Sequence, residues 1–220
     1  MPLASSRIKT WLFAATWLVA GAAWAQPTVP ELAAEADMIA LVVVEQVDYQ
    51  RTRGFPSSGS AFLRVLIPYR GIEKGTWIEV KEKGLGDEKC YYPEPDPYAF
   101  EGARFLVMLR ETDKPEVYMG VAPGCRIPVL VTDINGYAVR YPVDDLEIPE
   151  ELARDFTFND PAAIVDASDF TSMQLEDLET RFRAKPVETG PFEPSTGEYT
   201  YTRGVDLSDF RRLMDLNASQ

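Results

Sequence analysis

The sequence contains no histidine and only two cysteines among 220 residues, and its 22 lysines and arginines are outnumbered by 35 aspartates and glutamates. Each shortage closes a class of chemistry. Without imidazole, Ser-His-Asp and Cys-His catalysis are excluded, as are His-ligated zinc or haem and a histidine pH switch. A formal net charge of −13 sets the chain against nucleic-acid backbones and anionic membrane surfaces, which both reward positive charge. Hydrophobic residues at 45% and aromatics at 11% suffice for a packed core, which excludes disorder of the whole chain. Any remaining chemistry must run on carboxylates, hydroxyls or lysine.

Long apolar runs are scarce too. The one at the start reads as a secretory signal peptide over residues 1–25: Arg7 and Lys9 precede an apolar stretch from Trp11 to Ala20, and Ala23-Trp24-Ala25 forms a cleavage site before Gln26. Trp11 to Ala25 is only 15 residues, short of the roughly 20 that cross a bilayer, so no stable membrane anchor is expected after cleavage. No cysteine follows the site, so a lipoprotein anchor is not indicated either. The expected location is periplasmic or secreted. Loss of Arg7 and Lys9 leaves 20 basic groups against 35 acidic ones, a net of −15. In an oxidising compartment, Cys90 and Cys125 read most simply as one disulfide; a redox pair is the alternative, but its C-x-x-C spacing is absent.

The mature chain divides into a β-rich part, 26–145, and an acidic, partly helical appendage, 146–220. A short helix from Pro30 to Asp37 buries Leu32, Ala33 and Ala36. The strand from Met38 to Tyr49 begins apolar on both faces, as a sheet covered on each side requires, and then alternates with Val47 and Tyr49 inward. Strict alternation turns Glu45 inward as well, which a bulge or a barrel rim would relieve. Residues 51–60 read as a loop by composition. Strands follow at Ala61 to Tyr69, Trp77 to Glu82 (Ile78 and Val80 inward), Arg104 to Arg110 and Glu116 to Val121. Asn135-Gly136 between alternating runs predicts a type I′ hairpin within Val129 to Tyr141. In the appendage, a Thr171–Gln174 capping box opens a helix carrying Leu175, Leu178 and Phe182, and Leu207, Phe210 and Met214 mark a last short helix. The appendage holds 16 acidic and 7 basic groups, so most of the excess charge lies there.

Several of these motifs carry a resemblance. Ala36-Asp37 leads into an apolar strand, and Arg70-Gly71 with Gly75 precedes Ile78-Glu79-Val80. Cys90 is followed by Phe100-Glu101-Gly102-Ala103-Arg104-Phe105-Leu106-Val107, and Cys125 comes after the next strand. Together these resemble bacterial exported proteins of the tissue-inhibitor-of-metalloproteinases-like, or netrin-like, family over roughly residues 31–130. The resemblance implies a mainly β fold, a five-stranded OB-like barrel, here with an extra hairpin and a short-helix C-terminal appendage. The inhibitors chelate protease zinc through an N-terminal cysteine. Gln26 stands at the expected mature terminus, so the resemblance implies the barrel and not that mode of inhibition.

Catalytic signatures are missing. Ser57-Ser58-Gly59-Ser60 is no nucleophile elbow, and Gly71 to Thr76 has the wrong spacing for a phosphate loop. With so many acids, some pair falls at glycosidase distance by chance, and sequence cannot select one. The densest constellation surrounds Cys90. Tyr91, Tyr92, Tyr98 and Phe100 form a candidate binding surface, and Asp87, Glu88, Glu94 and Asp96 are weak calcium candidates by ligand type, although no EF-hand spacing is present. The expectation is an exported, non-catalytic binding module without a cofactor, which meets a protein or envelope ligand through this loop or the acidic tail. Alternatives are a carboxylate-based or cation-dependent hydrolase of the cell envelope and a protease inhibitor acting through a loop.

Overall fold

The computed structural model describes residues 26–85, 89–95, 102–187 and 197–215. The expected signal segment lies outside them, as do Asp87, Glu88, Asp96, Tyr98 and Phe100. No helix among the described residues is long and apolar enough to cross a membrane.

Five strands close a barrel: β1 (Met38–Thr52), β2 (Phe55–Arg70), β3 (Trp77–Lys83), β4 (Arg104–Glu111) and β5 (Val117–Gly120). Their order is β1-β2-β3-β5-β4, and β4 returns to pair with β1. The β3–β5 pair is parallel and every other pair antiparallel. This is the Greek-key closure of an OB-type barrel, which leaves none of the five strands as an open edge. The barrel interior is filled by Met38, Ala40, Val42 and Val44 of β1, Leu63 and Val65 of β2, Ile78 and Val80 of β3, and Phe105, Val107 and Leu109 of β4.

The alternate residues of β1 and β4 explain the two-faced apolar runs. Ile39, Leu41, Leu106 and Met108 point out of the barrel into a second core. Over it lie α1 (Val29–Glu35), the hairpin of β6 (Ile127–Val131) and β7 (Tyr137–Arg140), and the chain's last elements. Helix α1 is started by Pro30 and by the Glu31 carboxylate, which accepts the Thr28 N–H at 2.8 Å.

The acidic tail is part of this second layer. It contributes β8 (Ala153–Asp155), β9 (Ile164–Asp166), α2 (Ser172–Thr180), β10 (Lys185–Pro186), β11 (Glu198–Thr200), β12 (Arg203–Asp206) and α3 (Leu207–Leu213). Strand β12 pairs with β7 on one side and β8 on the other, extending the barrel sheet. From α3 and its cap, Leu207, Phe210 and Met214 enter the same core as α1, with Phe210 fully buried. A buried ion pair adds a polar clasp: Asp160 accepts from Arg104 Nη1 at 3.2 Å, from the Val131 N–H at 2.9 Å and from the Ala162 N–H at 3.0 Å. Residues on both sides of position 145 therefore share one hydrophobic core. A third, smaller cluster joins Leu130 of β6 to Leu178, Phe182 and Tyr201.

Two local expectations are corrected. Residues 51–60 are not a loop; β1 and β2 run on as a hairpin arm whose turn is Arg53-Gly54, both at positive φ (53° and 87°). That is the type I′ signature, written with an arginine where asparagine or aspartate is usual. The Asn135 hairpin exists, but its turn is a three-residue loop. Asn135 N–H donates to Thr132 O at 3.0 Å, Thr132 N–H donates to Gly136 O at 2.9 Å, and Asn135 rather than Gly136 takes the left-handed conformation (φ 58°). Glu45 falls in the register break between Val44 and Gln46, so a bulge turns it outward to bond Arg64 Nε at 2.6 Å.

Candidate binding site

The expected disulfide is present: Cys90 and Cys125, 35 residues apart in sequence, lie 5.9 Å apart at Cα. It ties the segment after β3 to the 3-10 turn Gly124–Arg126 that precedes β6. Both cysteines are buried at the end of the barrel interior. Gly120 passes directly beneath them, and a Cβ there would lie 2.0 Å from Cys90 Sγ.

Around the bridge stands a chain of aromatic hydrogen bonds. Tyr92 N–H donates to Tyr49 Oη at 3.0 Å, and Tyr92 Oη donates to Cys125 O at 2.6 Å. The Tyr92 ring meets Phe105 edge-on at 5.5 Å between centroids, and the Tyr91 ring meets Tyr49 edge-on at 5.0 Å. Tyr91 Oη donates to Gly84 O at 3.0 Å, and its own carbonyl accepts from Arg126.

Beneath this network lies Glu82, a buried carboxylate on β3. Burial raises its pKa above the ordinary 4.5, against the pull of the Cys90 N–H, the Lys89 ammonium and the Gly120 N–H. The same burial pushes the Tyr49 phenol up to about 12; the Tyr92 N–H and Arg126 pull it down, while Glu82 and Tyr91 push it further up. Tyr92 is also raised well above its ordinary value, again mainly by burial. At neutral pH the tyrosines stay neutral and serve as hydrogen-bonding struts.

Outside the struts runs an open groove of about 520 Å³, walled by Tyr49, Tyr91, Phe105, Pro56, Pro93 and Pro128, with Arg51, Arg126 and Arg140 reaching into it. Of the residues expected on a binding surface, Tyr91 lines this groove. Tyr92 also reaches its wall, yet it is only 3% exposed and belongs to the barrel core. Its phenol can be buried because Cys125 O satisfies it. Glu94, a calcium candidate by residue type, is engaged by Arg51. Among the described residues no group of three or more Asp, Glu, Cys or His gathers as a metal site.

Sequence reading missed Glu82, Arg126 and Arg140. For Glu82 the signal was present: Ile78 and Val80 face inward, and two residues further the same face holds Glu82. Arg140 has no such signal, because its setting is tertiary. Its guanidinium carbon stands 4.8 Å from the Tyr201 ring centroid and 5.2 Å from that of Phe182, both from the tail. No family model, no curated protein and no solved structure matches the chain.

Proposed function

We propose that the protein is an exported, non-catalytic binding module, a disulfide-closed OB-type barrel that engages a protein or envelope ligand through the groove beside Cys90. The observation that carries the reading is the make-up of that groove. Ring faces and prolines alternate with arginines on a rim stapled by the Cys90–Cys125 bridge and by the Tyr49–Tyr92–Cys125 hydrogen bonds. A concavity held this firmly loses little entropy when a ligand fills it. The tissue-inhibitor-like resemblance belongs to the same proposal, and the closed strand order supports it.

A carboxylate-based hydrolase would need a second acid facing Glu82 across a cleft. The Glu82 oxygens are turned instead to the Cys90 and Gly120 N–H groups, and Glu94 is held by Arg51. Both carboxylates thus act as braces for the loop, which favours binding over hydrolysis.

A photo-crosslinking residue at exposed Pro93, on the groove's lip, tests the reading in the exporting cell, with exposed Met173 on α2 as the control position. A discrete adduct from position 93 and none from 173 is the expected result. Equal adducts from both positions, or none from 93, would refute a ligand at this groove.

A further inference from the structure

We infer that this groove recognises an acidic segment of a partner polypeptide, with Arg126 and Arg140 as the anchors for its carboxylate. The inference rests on the binding reading above and adds the chemistry of the ligand.

In a chain where 35 acids face 22 bases, an arginine readily finds a carboxylate. Arg51 is paired with Glu94, Arg64 with Glu45, Arg154 with Asp209, and Arg181 with Asp144. Arg126 and Arg140 depart from that pattern, as Arg70 and Arg211 do elsewhere, and these two are the ones that line a common groove. Arg126 is exposed and donates to one neutral acceptor, the Tyr91 carbonyl. Its charge and that of Glu82 both act on the Tyr49 and Tyr92 phenols, which are themselves neutral. Arg140 donates to the neutral Tyr201 hydroxyl at 3.2 Å, and its buried Nε has no partner. Among the described residues, neither arginine has a carboxylate within ion-pair distance. A guanidinium carries five donors arranged to grip a carboxylate with two at once, and most of these ten remain unused.

Position makes the pair a site. Arg126, Pro128 and Arg140 border the main groove and also a second cavity of about 110 Å³, so the two cations share one ridge. Asp144 and Asp145 lie on the far side of that ridge, where Arg181 holds Asp144 at 2.8 Å. Among the described residues that line the near side the one acid is Glu94, already taken by Arg51, and Glu82 beneath is turned to the Cys90 and Gly120 N–H groups. The rings of Phe182 and Tyr201 fix the Arg140 guanidinium in place before any ligand arrives.

The occupant follows from the walls and from the charge of the whole chain. Proline and tyrosine faces offer apolar contact that suits peptide side chains. A net charge of −13 repels a polyanion such as a nucleic acid, whose charges extend past the two arginines. A peptide with one or two acids beside apolar residues meets the attraction without most of the repulsion.

Selection from a displayed random-peptide library on the mature chain, followed by titration of fluorescent synthetic peptides, tests this. Peptides enriched on the wild type and lost on Tyr91→Ala are expected to carry Asp or Glu. Changing that acid to its amide, or Arg126→Gln, should weaken binding about tenfold or more, the size of a charged hydrogen bond. Arg126→Lys should restore part of the affinity, and raising NaCl from about 50 to about 500 mM should weaken it several-fold. Far-UV circular dichroism confirms that each variant folds. Peptides lost on Tyr91→Ala that lack acids and ignore Arg126→Gln would overturn the acidic anchor and leave the groove reading intact. Failure to enrich any peptide that Tyr91→Ala displaces would overturn both.

Discussion

Replacing Gly120 by alanine drives a methyl group into the disulfide. The added Cβ would lie 2.0 Å from Cys90 Sγ, 2.7 Å from Cys90 Cβ and 2.9 Å from Cys125 Cβ. Unstrained contacts sit near 3.5 to 4.0 Å, so the bridge would have to retreat by about 1.5 Å. A free side chain could swing aside; this one is tethered at both ends. Tyr92 Oη holds Cys125 O at 2.6 Å, and the Gly120 and Cys90 N–H groups are both committed to Glu82. The expected cost is therefore at the top of the over-packing range, about 3 kcal/mol, a drop in Tm of about 6 to 12 °C for a chain of this size. Urea unfolding of Gly120→Ala should be compared in two backgrounds, the native chain and a Cys90→Ala/Cys125→Ala chain. Without the sulfurs the loop is free to shift and the same methyl should cost about 1 kcal/mol, a coupling of about 2 kcal/mol. Equal costs in the two backgrounds, within about 0.5 kcal/mol, would show that the clash with the bridge is not what requires glycine.

Other perturbations address the remaining joints. Asp160→Ala strips the carboxylate from buried Arg104 and from the Val131 and Ala162 N–H groups; a loss of about 3 to 5 kcal/mol is expected in chemical unfolding, and a loss under about 1 kcal/mol would demote this clasp. Phe210→Ala, in the shared core, should cost about 4 kcal/mol and lower a single unfolding transition; a separate early transition of the tail would contradict a common core. Converting both cysteines to alanine should cost about 4 kcal/mol through the reopened loop, read from the urea midpoint. Glu82 has its folded pKa raised above 4.5 by burial. The folded state holds this proton more tightly than the unfolded chain, so the stability it contributes is full below 4.5 and is lost as pH rises through the raised value. The stability of the wild type relative to Glu82→Gln should therefore fall as pH rises above the ordinary carboxylate range and through the raised value, and a flat difference would refute the assignment.

How much of this could be read in advance depends on the range of the forces involved. The two-faced apolar run of β1 announced that both sides of the sheet would be covered, because the spacing of apolar positions reports burial directly. It could not say that the cover includes α3, since Phe210 joins the core that holds Ile39 and Leu106 only through the fold. Residues 51–60 were hidden by composition: Gly, Ser and Pro dominate them, yet the Arg53-Gly54 turn lets β1 and β2 pair as far as Thr52 and Phe55. At the site, Cys90, Cys125 and Tyr91 were legible as residue types in an oxidised, aromatic loop. Glu82 is legible by periodicity, against the usual outward reading of a charged residue at a strand's end. Arg126 and Arg140 acquire meaning only from the lack of a carboxylate within ion-pair distance among the described residues, a property no local pattern encodes.

The tail and the groove are also physically linked. Arg140 belongs to β7, but the rings that fix its guanidinium are Phe182 and Tyr201, and Tyr201 leads directly into β12. The segment that carries most of the negative charge therefore also positions a cation at the groove. The two effects act over different distances. The acidic surface acts out to roughly a Debye length, about 8 Å at physiological salt, and disfavours a ligand with a high density of negative charge. Arg126 and Arg140 act at hydrogen-bonding distance, where a carboxylate is gripped by geometry as much as by charge. On the proposed reading, an acidic chain whose two ridge arginines find no carboxylate among the described residues would select a short anionic element set in apolar surroundings over a polyanion.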